Sequence, residues 1–314
     1  MPNMMAGVVS SHAYAFLSPA QWDARRTLTR DNYQRLQDKP PPPESPEFQA
    51  ETLTDNLSRH KAIRDGFQAI RDLVQNERPD VIVLIGDDQN ENFTDLLRPQ
   101  FALFTGAHFT IGAGQSAVGY QVDNELAHWM LLTTVEAGFD MAWTERLPED
   151  RLLDHAHHEP LRFIDPQGGI PVVPVFLNSI HHPGPTPRRC YDLGRALRVA
   201  IETYAPGKRI LVYSSGGFSH FTAGYPWRHY HGPHTLGSIS VEFDQEIVAR
   251  LRAGDQERLA ELSSQDLLDN GQVELRQTIV LAGMLRTGAI PDFLHYVPFY
   301  RAGMGIAVGI WTSP

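Results

Sequence analysis

Cysteine is nearly absent: Cys190 is the only one among 314 residues. One thiol closes no disulfide and builds no cysteine-rich zinc site, and such usage fits a reducing compartment. Long hydrophobic runs are missing as well. The most apolar stretches, Val81–Ile85 and Val172–Leu177, fall far short of the roughly 20 residues that cross a bilayer. No basic segment followed by an apolar stretch precedes His12. These absences predict a soluble, cytoplasmic chain with no membrane partner. Basic residues are also in short supply, 27 against 37 acidic ones, for a net charge of −10. That argues against nucleic acid, whose phosphates need a basic face. With 42% hydrophobic and 20% charged residues the chain has an ordinary globular balance, and it is long enough to bury a core without staples.

Histidine is abundant. There are 14, and they cluster: His155, His157 and His158; His181 and His182; His229, His231 and His234.

Five short apolar runs predict buried strands: Ala6–Ser10, Val81–Ile85, Phe139–Trp143, Val172–Leu177 and Ile210–Tyr213. Their hydrophobicity is continuous, as expected of strands covered on both faces in a parallel sheet. Helix-like stretches lie between them, at Leu53–Gln75, Asn124–Ala137, Arg188–Tyr204 and Glu242–Leu251. Thr54–Asp55 and Asp192 stand where caps or first-turn residues belong. Alternating strands and helices predict an α/β fold, a mainly parallel sheet sandwiched by helices with right-handed crossovers. Helices at Ser264–Asn270 and Val273–Thr287 give it a helical C-terminal portion. Lys39–Pro46, with four consecutive prolines, reads as an extended surface excursion between the first strand and the first long helix. Residues 1–314 are therefore expected to form one α/β domain.

Ligands bind open parallel sheets beyond the carboxyl ends of their strands. Here those ends run into Ser10-Ser11-His12, Gly86-Asp87-Asp88-Gln89-Asn90-Glu91-Asn92, Asn178-Ser179-Ile180-His181-His182 and Ser214-Ser215-Gly216-Gly217-Phe218-Ser219-His220. Four strands thus deliver polar and titratable groups to one edge. Imidazoles with a carboxylate point to a transition metal, although spacing alone does not choose which. No H-E-x-x-H motif is present, and His155-Ala156-His157-His158 is too compact to supply three ligands from one extended segment.

These residues carry a resemblance. The chain resembles the class III extradiol ring-cleavage dioxygenases, the family of the protocatechuate 4,5-dioxygenase catalytic subunit, and within it the 3-O-methylgallate dioxygenase group. The likeness spans nearly the whole chain. It rests on Ser10-Ser11-His12, Pro79-Asp80-Val81, Gly86-Asp87-Asp88-Gln89, Asp154-His155-Ala156 and Val173-Pro174-Val175-Phe176-Leu177-Asn178. It continues through Arg189-Cys190-Tyr191-Asp192-Leu193-Gly194, Ser215-Gly216-Gly217-Phe218-Ser219-His220 and Val273-Glu274-Leu275. The resemblance implies an enzyme that binds Fe(II), takes a small aromatic diol and O2 as substrates, and cleaves the ring beside the diol. Gallate, 3-O-methylgallate and protocatechuate are the kind of substrate it implies. His12 and Glu274 are then iron ligands, His220 the acid/base histidine and His155 its supporting histidine.

The sequence departs from the family at the third ligand, where a histidine is replaced by Gln89. His60, early in the helix before the second strand, is the expected substitute, with Gln89 or Asp88 beside it. Gly217, His181, Tyr225 and Trp227 are expected to bind substrate, the last two as part of a lid over Tyr225–His234. Arg162, Arg188 and Arg189 are candidates to pair a substrate carboxylate. A homo-oligomer is expected, since nothing resembles a fused small subunit. Two other readings stay open: a zinc hydrolase or amidase on a similar sheet, and a metal-free binding protein of this fold.

Overall fold

The computed structural model describes residues 4–12, 14–148, 152–204 and 208–312. In chain order the elements are β1 (Met4–Ser10), α1 (Pro19–Gln37), α2 (Pro46–Ala50), α3 (Leu53–Glu77), β2 (Val81–Asp87), β3 (Phe101–Phe104), β4 (His108–Ile111) and β5 (Val118–Gln121). There follow α4 (Asn124–Glu136), β6 (Ala142–Thr144), α5 (His155–Ile164), β7 (Val172–Leu177), α6 (Pro187–Tyr204) and β8 (Ile210–Ser215). The chain closes with α7 (Val241–Ala253), α8 (Ser264–Asp269), α9 (Leu275–Met284), β9 (Phe293–Phe299) and β10 (Met304–Trp311).

Eight strands form one sheet in the order β6-β3-β7-β2-β8-β1-β10-β9. Its centre, β7-β2-β8-β1, is parallel, and antiparallel pairs flank it on both sides. The α/β expectation holds, and the continuous apolar runs are explained. Along β2, Val81, Val83 and Ile85 face one core while Ile82 and Leu84 face the other, because successive side chains leave opposite sides of a strand. Burying each such side chain contributes about 1.5–3 kcal/mol.

The first face is covered by α4, α6, α7 and α9, the second by α3 and α5. The helices α6 and α9 meet through Gly194 and Gly283. A Cβ on Gly194 would collide with the carbonyl of Val280, and one on Gly283 with that of Tyr191. Only glycine lets the two backbones approach so closely, and this contact seats the helix whose first turn follows Glu274.

Three local expectations need correction. The strand expected at Phe139–Trp143 is a short edge strand, β6, while Phe139 and Met141 are buried without belonging to it. The proline-rich excursion does not join the first strand to the first long helix, because the 19-residue α1 comes before it. Few apolar residues mark α1, and it buries only Trp22 and Tyr33. Its real signature was Ser18-Pro19 with Gln21 completing a capping box. The excursion folds back on α1, where the carbonyl of Pro42 accepts from Arg30 at 2.8 Å. Finally, Thr52 rather than Thr54 caps α3, with Asp55 in its first turn, and Asp192 lies inside α6.

Candidate metal centre

The parallel centre of the sheet places three buried groups at its carboxyl edge. His12 follows β1, Asp87 ends β2, and Glu274 stands at the N-terminus of α9. One potential ligand atom from each lies within 4.8 Å of the others. His220 joins them from the loop after β8, with Nε2 3.1 Å from Glu274 Oε1.

The hydrogen bonds fix the chemistry of each group. Ser215 Oγ donates its single proton to the carbonyl of Ala156. Toward His12 Nδ1, 3.2 Å away, it therefore accepts, and the proton of the His12 ring sits on Nδ1. His12 Nε2 is left with a lone pair, buried and with no hydrogen-bond partner, 3.7 Å from Glu274 Oε1. Burial lowers His12 to about 4, against the pull of Glu274, so the ring is a neutral donor. Asp87 is fully buried, accepts from Gln89 Nε2 at 3.1 Å through one oxygen, and its Oδ1 has no partner. Burial and the charge of Glu274 push Asp87 well above the usual carboxylate range.

Burial also opposes ionisation of Glu274, yet His220, His12 and the Gly217 N–H hold it well below that range. Gly217 N donates to Glu274 Oε2 at 2.6 Å, and Gln89 Nε2 donates to Oε1 at 3.1 Å. A partnerless imidazole nitrogen, a partnerless carboxylate oxygen and a second carboxylate, all converging in the interior, are costly to bury without a cation. This donor set fits a divalent transition metal.

His220 donates from Nδ1 to the carbonyl of Phe218 at 2.6 Å. Burial would lower it, but the charge and hydrogen bond of Glu274 raise it to about 9. His155 opens α5, its ring edge-on to His12 with centroids 4.7 Å apart. Its Nδ1 is 2.8 Å from Glu91, and that carboxylate lifts it to about 9 despite burial.

A cavity of about 210 Å³ opens over this cluster, with Gln89, His155, His220 and Glu274 on its floor and Phe221 in its wall. An apolar cavity of about 150 Å³ already takes one benzene ring, so the space suits one substituted ring.

Other expected residues lie elsewhere. His60 is not brought to His12 and Glu274. It packs against Trp22, with ring centroids 5.0 Å apart, near the carbonyls of Ala15 and Leu17. The reason is topological: α3 crosses the antiparallel flank rather than β2. Its Arg59 bonds the carbonyl of Pro298, and Gly66 abuts Val308 and Phe293. Asp87 occupies the place in the cluster that His60 was expected to take. Its signal was the charged last residue of an otherwise apolar strand. Asp88 turns away and accepts from the N–H groups of Asn90, Asn92 and Phe93, while Gln89 ties the two carboxylates together.

Within the His155 cluster, His157 is a buried peg between Asp154 and the carbonyl of Val175. It presses on Gly86, where a Cβ would lie 2.6 Å from its Cε1. His158 bonds the carbonyl of Leu153. Gly217 stands beside Glu274 and His220 rather than in the cavity wall. His181, Tyr225 and Trp227 line a separate groove. Tyr225 is buried, donates to the carbonyl of Leu268 and packs on Phe221, and Trp227 donates to the carbonyl of Thr222 at 3.0 Å. The segment Tyr225–His234 is thus a small aromatic core and not an open lid. Arg189 lies over Phe139 and Arg188 faces Asp192 on α6. Arg162, in the last turn of α5, is likewise absent from the cavity wall.

Similar proteins bear on this site. A 2,3-dihydroxyphenylpropionate/2,3-dihydroxicinnamic acid 1,2-dioxygenase of Mycobacterium sp. (strain MCS) is 34% identical over 152 residues, 48% of this chain and 46% of that one. A gallate dioxygenase of Pseudomonas putida is 31% identical over 144 residues, 45% of this chain and 38% of that one. The matched stretch thus spans about half the length of these relatives or less. An uncharacterized protein of Escherichia coli K12, JW3007, has the same fold over 97% of this chain and 99% of its own, with a TM-score of 0.55 at 15% identity. Residues 45–305 match the family described as the catalytic LigB subunit of aromatic ring-opening dioxygenase, and since that is well over half of its length, the chain belongs to this family.

Proposed function

We propose that this protein, working as one α/β domain, is an Fe(II)-dependent ring-opening dioxygenase of vicinal aromatic diols, with His12, Asp87 and Glu274 holding the metal. The observation that carries this reading is the pair of buried, partnerless atoms, His12 Nε2 and Asp87 Oδ1, aimed with Glu274 into one point beneath a ring-sized cavity. Fe(II) bound there supplies a place where the two diol oxygens and O2 meet.

The chain's own residues do the rest. Gly217 N and Gln89 Nε2 fix the carboxylate of Glu274. The carbonyl of Phe218 accepts from Nδ1 of His220, and a cation on Glu274 would offset the charge that keeps Nε2 protonated, leaving that nitrogen free to act as a base. A phenolic proton of the substrate passes to that Nε2, and His220 returns it later as a general acid, a role worth about 10²- to 10⁴-fold in rate. His155, paired with Glu91, packs edge-on against His12 and holds that ring in place. The wall around Phe221 keeps bulk water from the reacting ring. Gallate-, 3-O-methylgallate-, protocatechuate- and 2,3-dihydroxyphenylpropionate-like diols are the substrates to try, given the residue matches and the relatives' names.

Relative to two imidazoles and one carboxylate, this set exchanges an imidazole for Asp87. Anaerobic purification with metal analysis, followed by O2 uptake on those diols, tests the reading. Iron at one per chain with stoichiometric O2 consumption is expected. Zinc without O2 uptake returns the hydrolase reading, and a protein that holds no metal returns the binding-protein one.

A further inference from the structure

The helix α1 contributes one whole face to the wall of the cavity. Arg25, Leu28, Thr29 and Asn32 all line it, and their spacing of three and four residues puts them on one side of a helix. The same cavity is lined by the polar cluster of Gln89, His155, His220 and Glu274 and by the apolar Phe221, Leu236 and Met304. The lining that α1 contributes is cationic. Arg25, Arg26 and Arg30 belong to it, against the single carboxylate of Glu44.

These three arginines are not equivalent. Arg26 and Arg30 both pair with Glu44, Arg30 at 3.2 Å, and Arg30 also donates to the carbonyl of Pro42. The guanidinium of Arg25 has no ion pair or hydrogen bond among the described residues. Its charge does reach Tyr14, another residue of the wall. A cavity lined by the diol-binding cluster, by apolar side chains and by an unpaired guanidinium matches one kind of molecule: a diol-bearing ring with an anionic substituent.

We propose that Arg25 binds the carboxylate of the substrate, so that α1 selects aromatic diol acids over their neutral counterparts. A guanidinium suits this role because its planar fork pairs a carboxylate through two parallel hydrogen bonds. This inference rests on the reading of the cavity as a diol site, and it adds the residue that selects the acid.

The test compares a diol acid with its own methyl ester, for protocatechuate and for 2,3-dihydroxyphenylpropionate, in wild type, Arg25→Gln and Arg25→Glu. Wild type is expected to prefer the acid by about 10- to 100-fold in kcat/KM, the scale of one charge-assisted contact. In Arg25→Gln the acid-to-ester ratio falls to near unity, and in Arg25→Glu it inverts. Arg188→Gln, on α6, keeps the wild-type ratio. Equal use of acid and ester by wild type, or an unchanged ratio in Arg25→Gln, overturns the inference. Calorimetric titration of the metal-loaded protein with acid and ester under anaerobic conditions reads the same preference without turnover. If no diol is cleaved, the ring-opening reading falls, and the binding ratio still decides the role of Arg25.

Discussion

Two regions of this molecule are rich in histidine, and only one of them brings imidazoles together with buried carboxylates. At the strand ends, His12 and His220 are buried within reach of Glu274, and His12 Nε2 and Asp87 Oδ1 each lack a hydrogen-bond partner. In the segment Tyr225–His234, His229 and His231 are exposed, and His234 stacks on Phe221 with ring centroids 4.8 Å apart. Among the described residues no carboxylate is paired with any of these three. His229 instead faces His182, and its neighbours include Arg228 and His231. Imidazoles hold a metal where they converge with further donors and where other bonds orient the free nitrogen. Histidine number is the weaker signal and the buried acid beside it the stronger one.

The sharpest way to break this contrast is to remove one group from each region. Asp87→Ala and His12→Ala are expected to lower metal affinity by more than the 10- to 100-fold typical of outer partners, as measured by metal content after equilibrium dialysis. His231→Ala is expected to keep the metal. Parity between Asp87→Ala and His231→Ala would mean the cluster at the strand ends is not the centre.

Removing the base is next in size. His220→Gln should retain metal while kcat falls by about 10²- to 10⁴-fold, which single-turnover ring opening under O2 can read. Retention of wild-type kcat would move the acid/base role elsewhere. The aromatic segment should respond in the opposite sense. Tyr225→Ala empties a buried site and is expected to cost about 3–5 kcal/mol of stability, read by denaturant unfolding, with metal binding kept in the folded fraction. Loss of metal at full stability would show that the segment belongs to the site after all.

The smallest effect concerns the pair His155–Glu91 in the metal-free protein. His155 is raised from 6.5 to about 9. The stability it contributes is therefore fully present below about pH 6.5 and is lost as pH climbs through 9. Glu91 is lowered, so its share is present above about pH 4.5 and disappears on acidification. With Glu91 36% exposed, the effect is on the order of 1 kcal/mol. Unfolding free energies at pH 6 and pH 9 should differ by that amount in wild type and not in Glu91→Gln.

Much of this was legible in the sequence. The buried central strands announced themselves because a strand covered on both faces carries no polar alternation. Helices α3, α4 and α6 showed clear boundaries. The antiparallel strands β9 and β10 and the helix α1 carry no comparable local signal. α1 is sparsely apolar and buries little, and β9 and β10 are defined by whom they pair with.

His12 and His220 stand at the carboxyl ends of strands, which is a local fact, while Glu274 and the roles of all three come from the family resemblance. Which further group completes their cluster was a tertiary matter. Asp87 ends a strand and His60 lies early in a helix near the expected edge, and no local rule separates them. The order β8-β1-β10-β9 decides it: α3 covers the antiparallel flank and carries His60 away, while β2 lies between β7 and β8 and delivers Asp87 to the cluster. The same holds for Arg25, whose role depends on α1 closing over a cavity built by residues hundreds of positions away. Sequence alone determined which groups stand at element ends, because that depends on neighbours along the chain. Only packing decided which of those ends meet, because burial and strand pairing join residues that the chain itself keeps far apart.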